Sequence, residues 1–302
     1  MDIGYRPARR EDLEPALRIV QDAYNDLRAR HGLTPNVGVK PPSFQAFCLA
    51  RDPEGLWVAE ADDGALVGFG FAWTRRRFWY LAQLFVRPGT QGEGIGRALL
   101  ARTMRTAERD GARNCALVTM AYNTASTGLY LRNGLCPREP LLRMAAPVRA
   151  IEAGASGTGA LEAAPIEPWP GCREWLGRID EEVLGFRREE HHAFLLGGPA
   201  ARAVRIERAG RPAGYAYVSA EGHIGPLAVV PGADPEAVVD AAVRCAVQQG
   251  SKQVSMIVPG KADKILAAVS GMGFRIDEPF VLLSAKPFGD WRHYLPSNPG
   301  FM

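Results

Sequence analysis

The feature that most limits how this chain can fold is that its second half repeats its first. Val67-Gly68-Phe69-Gly70-Phe71 is matched by Ala213-Gly214-Tyr215-Ala216-Tyr217, and Leu84-Phe85-Val86-Arg87-Pro88 by Leu227-Ala228-Val229-Val230-Pro231. Gly111 and Gly134 lie 23 residues apart (134 − 111), as do Gly250 and Gly273 (273 − 250). The register breaks once: Pro88 to Gly111 is 23 residues (111 − 88) and Pro231 to Gly250 is 19 (250 − 231). The second copy is shorter at the place where the first carries a run of glycines. A repeat this long means duplicated domains and not a solenoid. With 302 residues, two domains are expected, one over 1–150 and one over 151–302.

Strand and helix signals alternate through the first half, so the fold class is α/β (α+β). The pattern predicts a short strand over Ile3–Arg6 and a helix over about Glu11–Arg30, with Leu13, Leu17, Val20 and Tyr24 on one face. A Gly/Pro-rich loop covers His31–Pro42, with a short helix near Ser43–Ala50. Strands follow over Gly55–Ala61, Ala65–Thr74 and Phe78–Val86. After Pro88 a glycine-rich stretch opens a helix to about Asp110; Asn114–Met120 reads as strand, Thr124–Arg132 as helix, Leu141–Ala145 as strand. Arg75–Arg77 reads as a charged hairpin tip, and Arg102, Arg105 and Arg109 as a solvated helix face. Ala145–Pro170, dominated by Ala, Gly, Pro, Ser and Glu, is the linker candidate, with the boundary near residue 155.

Composition excludes several functions. A net charge of +3 is too small for a dedicated nucleic-acid binder. The five cysteines are widely spaced and odd in number, which suits reduced thiols and neither a disulfide framework nor a zinc site. His191-His192 are adjacent, so on a helix they point apart and make a poor metal pair; no metal is expected. No apolar run approaches a membrane span and the N-terminus has no signal core. A soluble, cytoplasmic protein is expected, without a membrane or nucleic-acid partner.

The chemistry is concentrated in Val86-Arg87-Pro88-Gly89-Thr90-Gln91-Gly92-Glu93-Gly94-Ile95-Gly96-Arg97. A strand ends at a proline, a glycine-rich turn follows, and an amphipathic helix starts. Such a helix start exposes consecutive N–H groups and the positive end of the helix dipole to an anion such as a pyrophosphate. A P-loop would need Lys then Ser/Thr after its last glycine, where Arg97-Ala98 stand. A dinucleotide fingerprint would need glycine where Leu99 stands. The bland reading is a mere turn, which three alternating glycines opening a long helix disfavour.

The segment resembles the acyl-CoA motif Q/R-x-x-G-x-G/A of the GNAT superfamily of N-acyltransferases, in its tandem form, as Gln91-x-x-Gly94-x-Gly96. The similarity extends to Leu84–Pro88, to the opening Arg6–Asp12, and to Asn123–Leu135, which is similar to the family's N-x-x-A…Y-x-x-x-G-L/F helix. It covers residues 1 to about 146 and, faintly, the second half. It implies two GNAT-like domains, each a mixed, mostly antiparallel sheet flanked by helices, splayed between its fourth and fifth strands. It also implies acetyl-CoA as cosubstrate. The amides of Gln91, Gly92, Glu93, Gly94, Ile95, Gly96 and Arg97 would hold the pyrophosphate. Leu84, Phe85 and Val86 would pair with the pantetheine, Asn123 would reach it with Ser126 helping, and the Tyr130 hydroxyl would protonate the leaving thiolate. For Asn123 the competing reading is a helix cap, for Tyr130 an ordinary core aromatic.

The second copy departs from this pattern. Its turn is Pro231-Gly232-Ala233-Asp234-Pro235, Tyr130 maps onto Val269, and Asn123 onto Ala262. It is expected not to bind CoA. The first copy departs too: Gln83 stands where many family members carry a Glu base, and an amide cannot take a proton at neutral pH. Glu60, Glu93, Glu221, His223 or no base at all remain open. The reading is an acetyl-CoA-dependent N-acetyltransferase for a primary amine of a small molecule or peptide, monomeric or homodimeric. Another acyl-CoA with an amino-sugar acceptor, and a CoA-binding sensor without turnover, stay open. The tail Trp291–Pro296 is expected to pack on the core.

Overall fold

A computed structural model of the chain describes residues 2–35, 38, 41–154, 161–198 and 201–302. The described elements are α/β throughout: β1 (Ile3–Pro7), α1 (Leu13–Arg30), α2 (Ser43–Leu49), β2 (Leu56–Ala61), β3 (Leu66–Arg75), β4 (Phe78–Val86), α3 (Ile95–Arg109), β5 (Asn114–Met120), α4 (Thr124–Leu131) and β6 (Cys136–Pro147). Then follow α5 (Val148–Gly154), β7 (Glu162–Pro165), α6 (Arg173–Leu184), α7 (Glu189–Gly197), β8 (Ala201–Arg208), β9 (Arg211–Ser219), β10 (His223–Val229) and α8 (Pro235–Gln248). The last are β11 (Gln253–Pro259), α9 (Asp263–Gly271), β12 (Arg275–Ser284) and β13 (Tyr294–Leu295). The expected boundary near residue 155 and residues 36, 37, 39 and 40 of the His31–Pro42 loop lie outside the described residues.

Two compact units form, and they interleave along the chain. Unit 1 is Met1–Val118, Tyr122–Cys136 and Ser284–Lys286; unit 2 is Thr119–Ala121, Pro137–Leu283 and Pro287–Met302. Unit 1 orders its strands β1-β2-β3-β4-β5, antiparallel except for β4 and β5. Unit 2 orders β12-β6-β11-β10-β9-β8-β7, with β13 added to β10. The strand that sequence places last in the first half is therefore a unit 2 strand. β6 runs antiparallel to β11 over an unbroken register from Gln253↔Pro147 to Pro259↔Leu141.

The repeated Val/Ala-Gly-aromatic motif has a packing cause. Side chains alternate across a strand, so Gly68 and Gly70 of β3 face α3 while Phe71 faces α2, its ring 5.7 Å from Phe44. A Cβ on Gly68 would come within 2.8 Å of Leu99 and 3.0 Å of Ile95. In β9, a Cβ on Gly214 would lie 2.4 Å from the Ala228 carbonyl and 3.1 Å from Val238 of α8. Each copy thus needs a residue without a side chain where its long helix presses on the sheet.

The other face differs between the copies. In unit 2 the aromatics are Tyr215 and Tyr217, fully buried against α6 and α7. Their hydroxyls join a network around Asp180, which accepts from Arg188 Nε (2.9 Å), from His192 Nε2 (3.0 Å) and from Tyr215. His192 Nδ1 lies 2.8 Å from the Tyr217 hydroxyl. His191 and His192 are buried residues of α7. Arg75 corrects an expectation: it is not at the hairpin tip but buried at the end of β3, paired with Asp52 at 2.7 Å. The tip is Arg76-Arg77, both at positive φ.

Burial alone would push the Asp180 carboxyl up; Arg188 and His192 beside it more than reverse this and hold it well below the usual carboxylate range. A carboxyl whose folded value is depressed stabilises fully above its unfolded value of about 3.9 and loses that contribution as pH falls. Asp180→Asn, which leaves Arg188 buried without its counter-charge, is expected to destabilise unit 2 by about 3–5 kcal/mol near neutral pH. The deficit relative to wild type should shrink below about pH 4, as urea unfolding at several pH values will read.

Candidate functional site

The site in unit 1 begins with a break in strand pairing. β4 runs beside β5 in parallel from Phe78↔Asn114 to Leu81↔Leu117, and there the pairing stops. On its other edge β4 stays paired with β3 as far as Gly68↔Val86. Between these, the register shifts by one residue at Ala82, the extra residue of a β-bulge opposite Phe71 and Ala72. A bulge bends and twists its strand, so β4 turns away from β5 where it is bulged. Burial follows: Phe78–Ala82 are buried, whereas Gln83–Val86 are half-exposed. Leu84, Phe85 and Val86 thus form a strand edge on which an extended ligand could add backbone hydrogen bonds.

The glycine turn lies just beyond. Gly92 and Gly94 sit at φ +92° and +84°, and a Cβ on either would meet nothing within 4 Å. Their need for glycine is conformational, since L side chains rarely adopt such φ values. Gly94 is the N-cap of α3 and supplies no side-chain cap; its carbonyl takes the Ala98 amide at 3.0 Å. Residues 91–92 form a turn, and among the described residues no backbone hydrogen bond outside the regular elements is donated by the amides of Ile95 to Arg97, the first turn of α3. A bare helix start of this kind, open to solvent, suits an anionic oxygen.

Asn123 is the N-cap of α4, its Oδ1 accepting from the Ser126 amide at 3.2 Å. Tyr130 is 5% exposed. Burial raises its phenol above the ordinary value, and a hydrogen bond to the Ser126 side chain, one turn earlier, offsets only part of this. The phenol therefore stays protonated throughout the neutral range. Gln91 is tied in from both sides: its Nε2 donates to the Val86 carbonyl and its Oε1 accepts from Arg30, each at 3.2 Å.

Sequence reasoning missed the part played by the end of α1. Arg30 reaches Gln91 of the glycine turn, and the ring of His31 lies 4.8 Å from that of Tyr122, the residue before Asn123. Two neighbours thus touch both flanks of the site. Contacts across some 60 and 90 positions leave no periodic trace by which they could have been read. Gln83, at the expected position of a base, accepts from Gln45 Nε2 at 3.1 Å. Glu60 is held by Arg6 at 2.8 Å, and both ring nitrogens of His223 are hydrogen-bonded within unit 2, to Ser255 and to the Ser297 carbonyl. Among the described residues no group of three or more His, Cys, Asp or Glu could hold a metal ion, and no helix is long and apolar enough to cross a membrane.

Unit 2 keeps the geometry and loses the openings. β10 pairs in parallel with β11 at His223↔Ser255 and Ile224↔Met256, then bulges against β9 between Ile224 and Leu227. The start of α8 is capped by its own Asp234, whose Oδ1 accepts from the Glu236 amide at 3.2 Å. Ala262 and Val269 stand at the N-cap and within α9, where α4 has Asn123 and Tyr130.

Comparison with known proteins agrees with this architecture. The model of the acetyltransferase (GNAT) family matches residues 20–135. An uncharacterized N-acetyltransferase of Archaeoglobus fulgidus is 32% identical over 109 residues, covering 34% of this chain and 71% of that protein. The chain belongs to the GNAT family of acetyltransferases. A mycothiol acetyltransferase of Streptomyces coelicolor is 37% identical over 92 residues, and this match spans 29% of each chain. In fold, this GNAT protein is similar along almost its whole length to an acetyltransferase candidate from Pyrococcus horikoshii (TM-score 0.74, 19% identity, covering 97% of this chain and 92% of that one). It is also similar to a tandem GNAT protein from the clavulanic acid biosynthesis pathway (TM-score 0.60, 18% identity, covering 95% and 99%). The tandem, mixed α/β fold expected from the repeat is thus the fold observed.

The cap role of Asn123 has a direct measure. Asn123→Ala is expected to cost about 1 kcal/mol of stability without any ligand present, read as a lower denaturation midpoint, whereas Asn123→Ser should retain most of it.

Proposed function

We propose that this protein is an N-acetyltransferase that takes its acetyl group from acetyl-CoA and transfers it to a primary amine of a small molecule or peptide, using unit 1 alone. The observation that carries this reading is the conjunction, within one turn of chain, of an open β4 edge and an uncapped α3 start. Those two features match the two ends of a pantetheine–pyrophosphate ligand: an amide-bearing arm that can extend a sheet, and a doubly anionic group that needs N–H donors. When bound, acetyl-CoA supplies the acetyl group as a thioester, and its thiol is the leaving group.

The residues then divide the work. Leu84, Phe85 and Val86 present backbone donors and acceptors to the arm. The amides of Gln91–Arg97 hold the anion, with the Gln91 side chain bracing the turn. Asn123, its Oδ1 engaged in the cap, has Nδ2 to offer. Tyr130 holds a proton at its phenolic oxygen, and Ser126 orients it. Because burial raises the phenol above a thiol's usual value, Tyr130 acts as a hydrogen-bond donor to developing negative charge rather than as a strong acid. Gln83 sits in an amide–amide contact, Glu60 is ion-paired and both ring nitrogens of His223 are hydrogen-bonded, so none of these three serves as base, which leaves Glu93, Glu221 or an amine that arrives neutral. A second reading, cofactor binding without turnover, draws on Gln83 alone.

Calorimetry should find one acetyl-CoA per chain, and Gly94→Trp, which places a bulky side chain at positive φ in the anion cradle, should abolish binding. Thiol release against an amine panel should show turnover that rises with pH through the amine's own ionisation, and Tyr130→Phe should lower kcat about 10²-fold with little change in acetyl-CoA affinity. Binding without turnover on any amine would favour the second reading; no binding by wild type would overturn both.

A further inference from the structure

Unit 2 has the same break in strand pairing as unit 1, yet no open edge. Its last parallel pair is Ile224↔Met256, in register with Leu81↔Leu117 of unit 1, and β10 is bulged immediately after it. Beyond the bulge, Leu227 and Ala228 correspond to Leu84 and Phe85. There β13 lies antiparallel on β10, Leu295 opposite Leu227 and Tyr294 opposite Ala228, and it packs against β11 as well. The Val229 amide donates to the His293 carbonyl at 2.8 Å. The chain's own tail thus fills the wedge between the splayed strands.

The tail is fastened along its length. The Asp290 amide donates to the Val183 carbonyl, Tyr294 is fully buried, and its hydroxyl donates to the Met302 main-chain oxygen at 2.9 Å. Arg188 donates to that same oxygen at 2.7 Å while its other nitrogens hold Asp180. Gly225, at the bulge, leaves no room for more: a Cβ there would lie 2.8 Å from both the Pro296 carbonyl oxygen and Ser297 Cα. At the adjacent helix start, Asp234 puts a carboxylate on the amides of α8, where α3 presents bare ones.

We propose that Pro287–Met302 is an internal ligand of unit 2: a looped segment whose strand Tyr294–Leu295 occupies the slot between β10 and β11 that corresponds to the open slot beside β4. The first half of this statement stands on unit 2 geometry; the correspondence to a cofactor slot rests on the reading of unit 1 given above. The physical logic is that a splayed sheet leaves backbone N–H and C=O groups without partners, and a buried edge must satisfy them. Unit 1 meets this requirement with solvent or a bound molecule, unit 2 with its own chain. The duplicated fold therefore carries one ligand slot that is open and one that is permanently filled, and the filled copy is a strand acceptor specific for this segment.

The test keeps the full chain and inserts a protease site between Pro287 and Phe288, in the exposed stretch before the tail. After cleavage, Phe288–Met302 should co-elute with the remainder, exchange with an excess of the synthetic peptide of the same sequence, and keep the Val229 amide protected from hydrogen exchange. Gly225→Val in the uncut chain should expel the segment, raising Val229 exchange at least about tenfold while leaving acetyl-CoA affinity unchanged. If that variant does not fold, the cleaved chain carries the test alone. Immediate loss of the cut segment with unaltered Val229 protection and thermal stability would overturn the proposal, as would two acetyl-CoA equivalents bound by the uncut chain. A retained segment in a chain that binds no acetyl-CoA would overturn the reading of unit 1 and leave the internal ligand standing.

Discussion

The open strand edge of unit 1 goes with one backbone irregularity, the bulge at Ala82 where the parallel pairing of β4 with β5 ends. Had β4 remained regular, its edge from Gln83 to Val86 could have gone on pairing with β5, and no ligand could have reached it. Because the extra residue turns the strand, the sheet keeps its antiparallel partner on one side and gives up its parallel partner on the other. The residues before the bulge are buried and those after it half-exposed.

The same kind of bulge recurs in unit 2, where the strand edge beyond it is covered by β13. Retaining the splay but removing the ligand creates a deficit of backbone hydrogen bonds in a buried region, and the tail supplies them. The substitutions that accompany this are coherent. A shortened turn brings Asp234 onto the start of α8, Val269 and Ala262 take the places of Tyr130 and Asn123, and the aromatics of β9 acquire hydroxyls that join the Asp180–Arg188 network. Arg188 then links that network to the last residue described, so that the polar core of unit 2 and the anchoring of the tail are one structure.

Much of this was legible beforehand. The period of the apolar residues placed α1, β2 to β5, α3 and α4 to within a few residues, because burial on one face is a local pattern. The equal glycine spacing aligned the copies, and α4 and α9 begin at equivalent positions with Asn123 and Ala262 at their caps. The glycine turn was legible as alternating glycines between a strand-ending proline and a helix, and Gly92 and Gly94 take the positive φ that glycine meets without strain. Arg75 was misread because a run of three arginines looks solvated, whereas the first of them has a buried partner in Asp52.

What the sequence by itself determined was the duplication, the class of the fold and the glycine-rich turn that one copy has and the other lacks. These rest on spacing and on the conformational limits of single residues. Only the tertiary structure decided that β6 belongs with β11, that Arg30 and His31 reach both sides of the site, and that the second slot is filled by Tyr294 and Leu295. The strand pairings depend on which distant backbone segment satisfies an edge, and the Arg30 and His31 contacts on side chains that only the fold brings together. Backbone hydrogen bonds are the same for every residue but proline, so the choice of partner leaves no mark in the side chains.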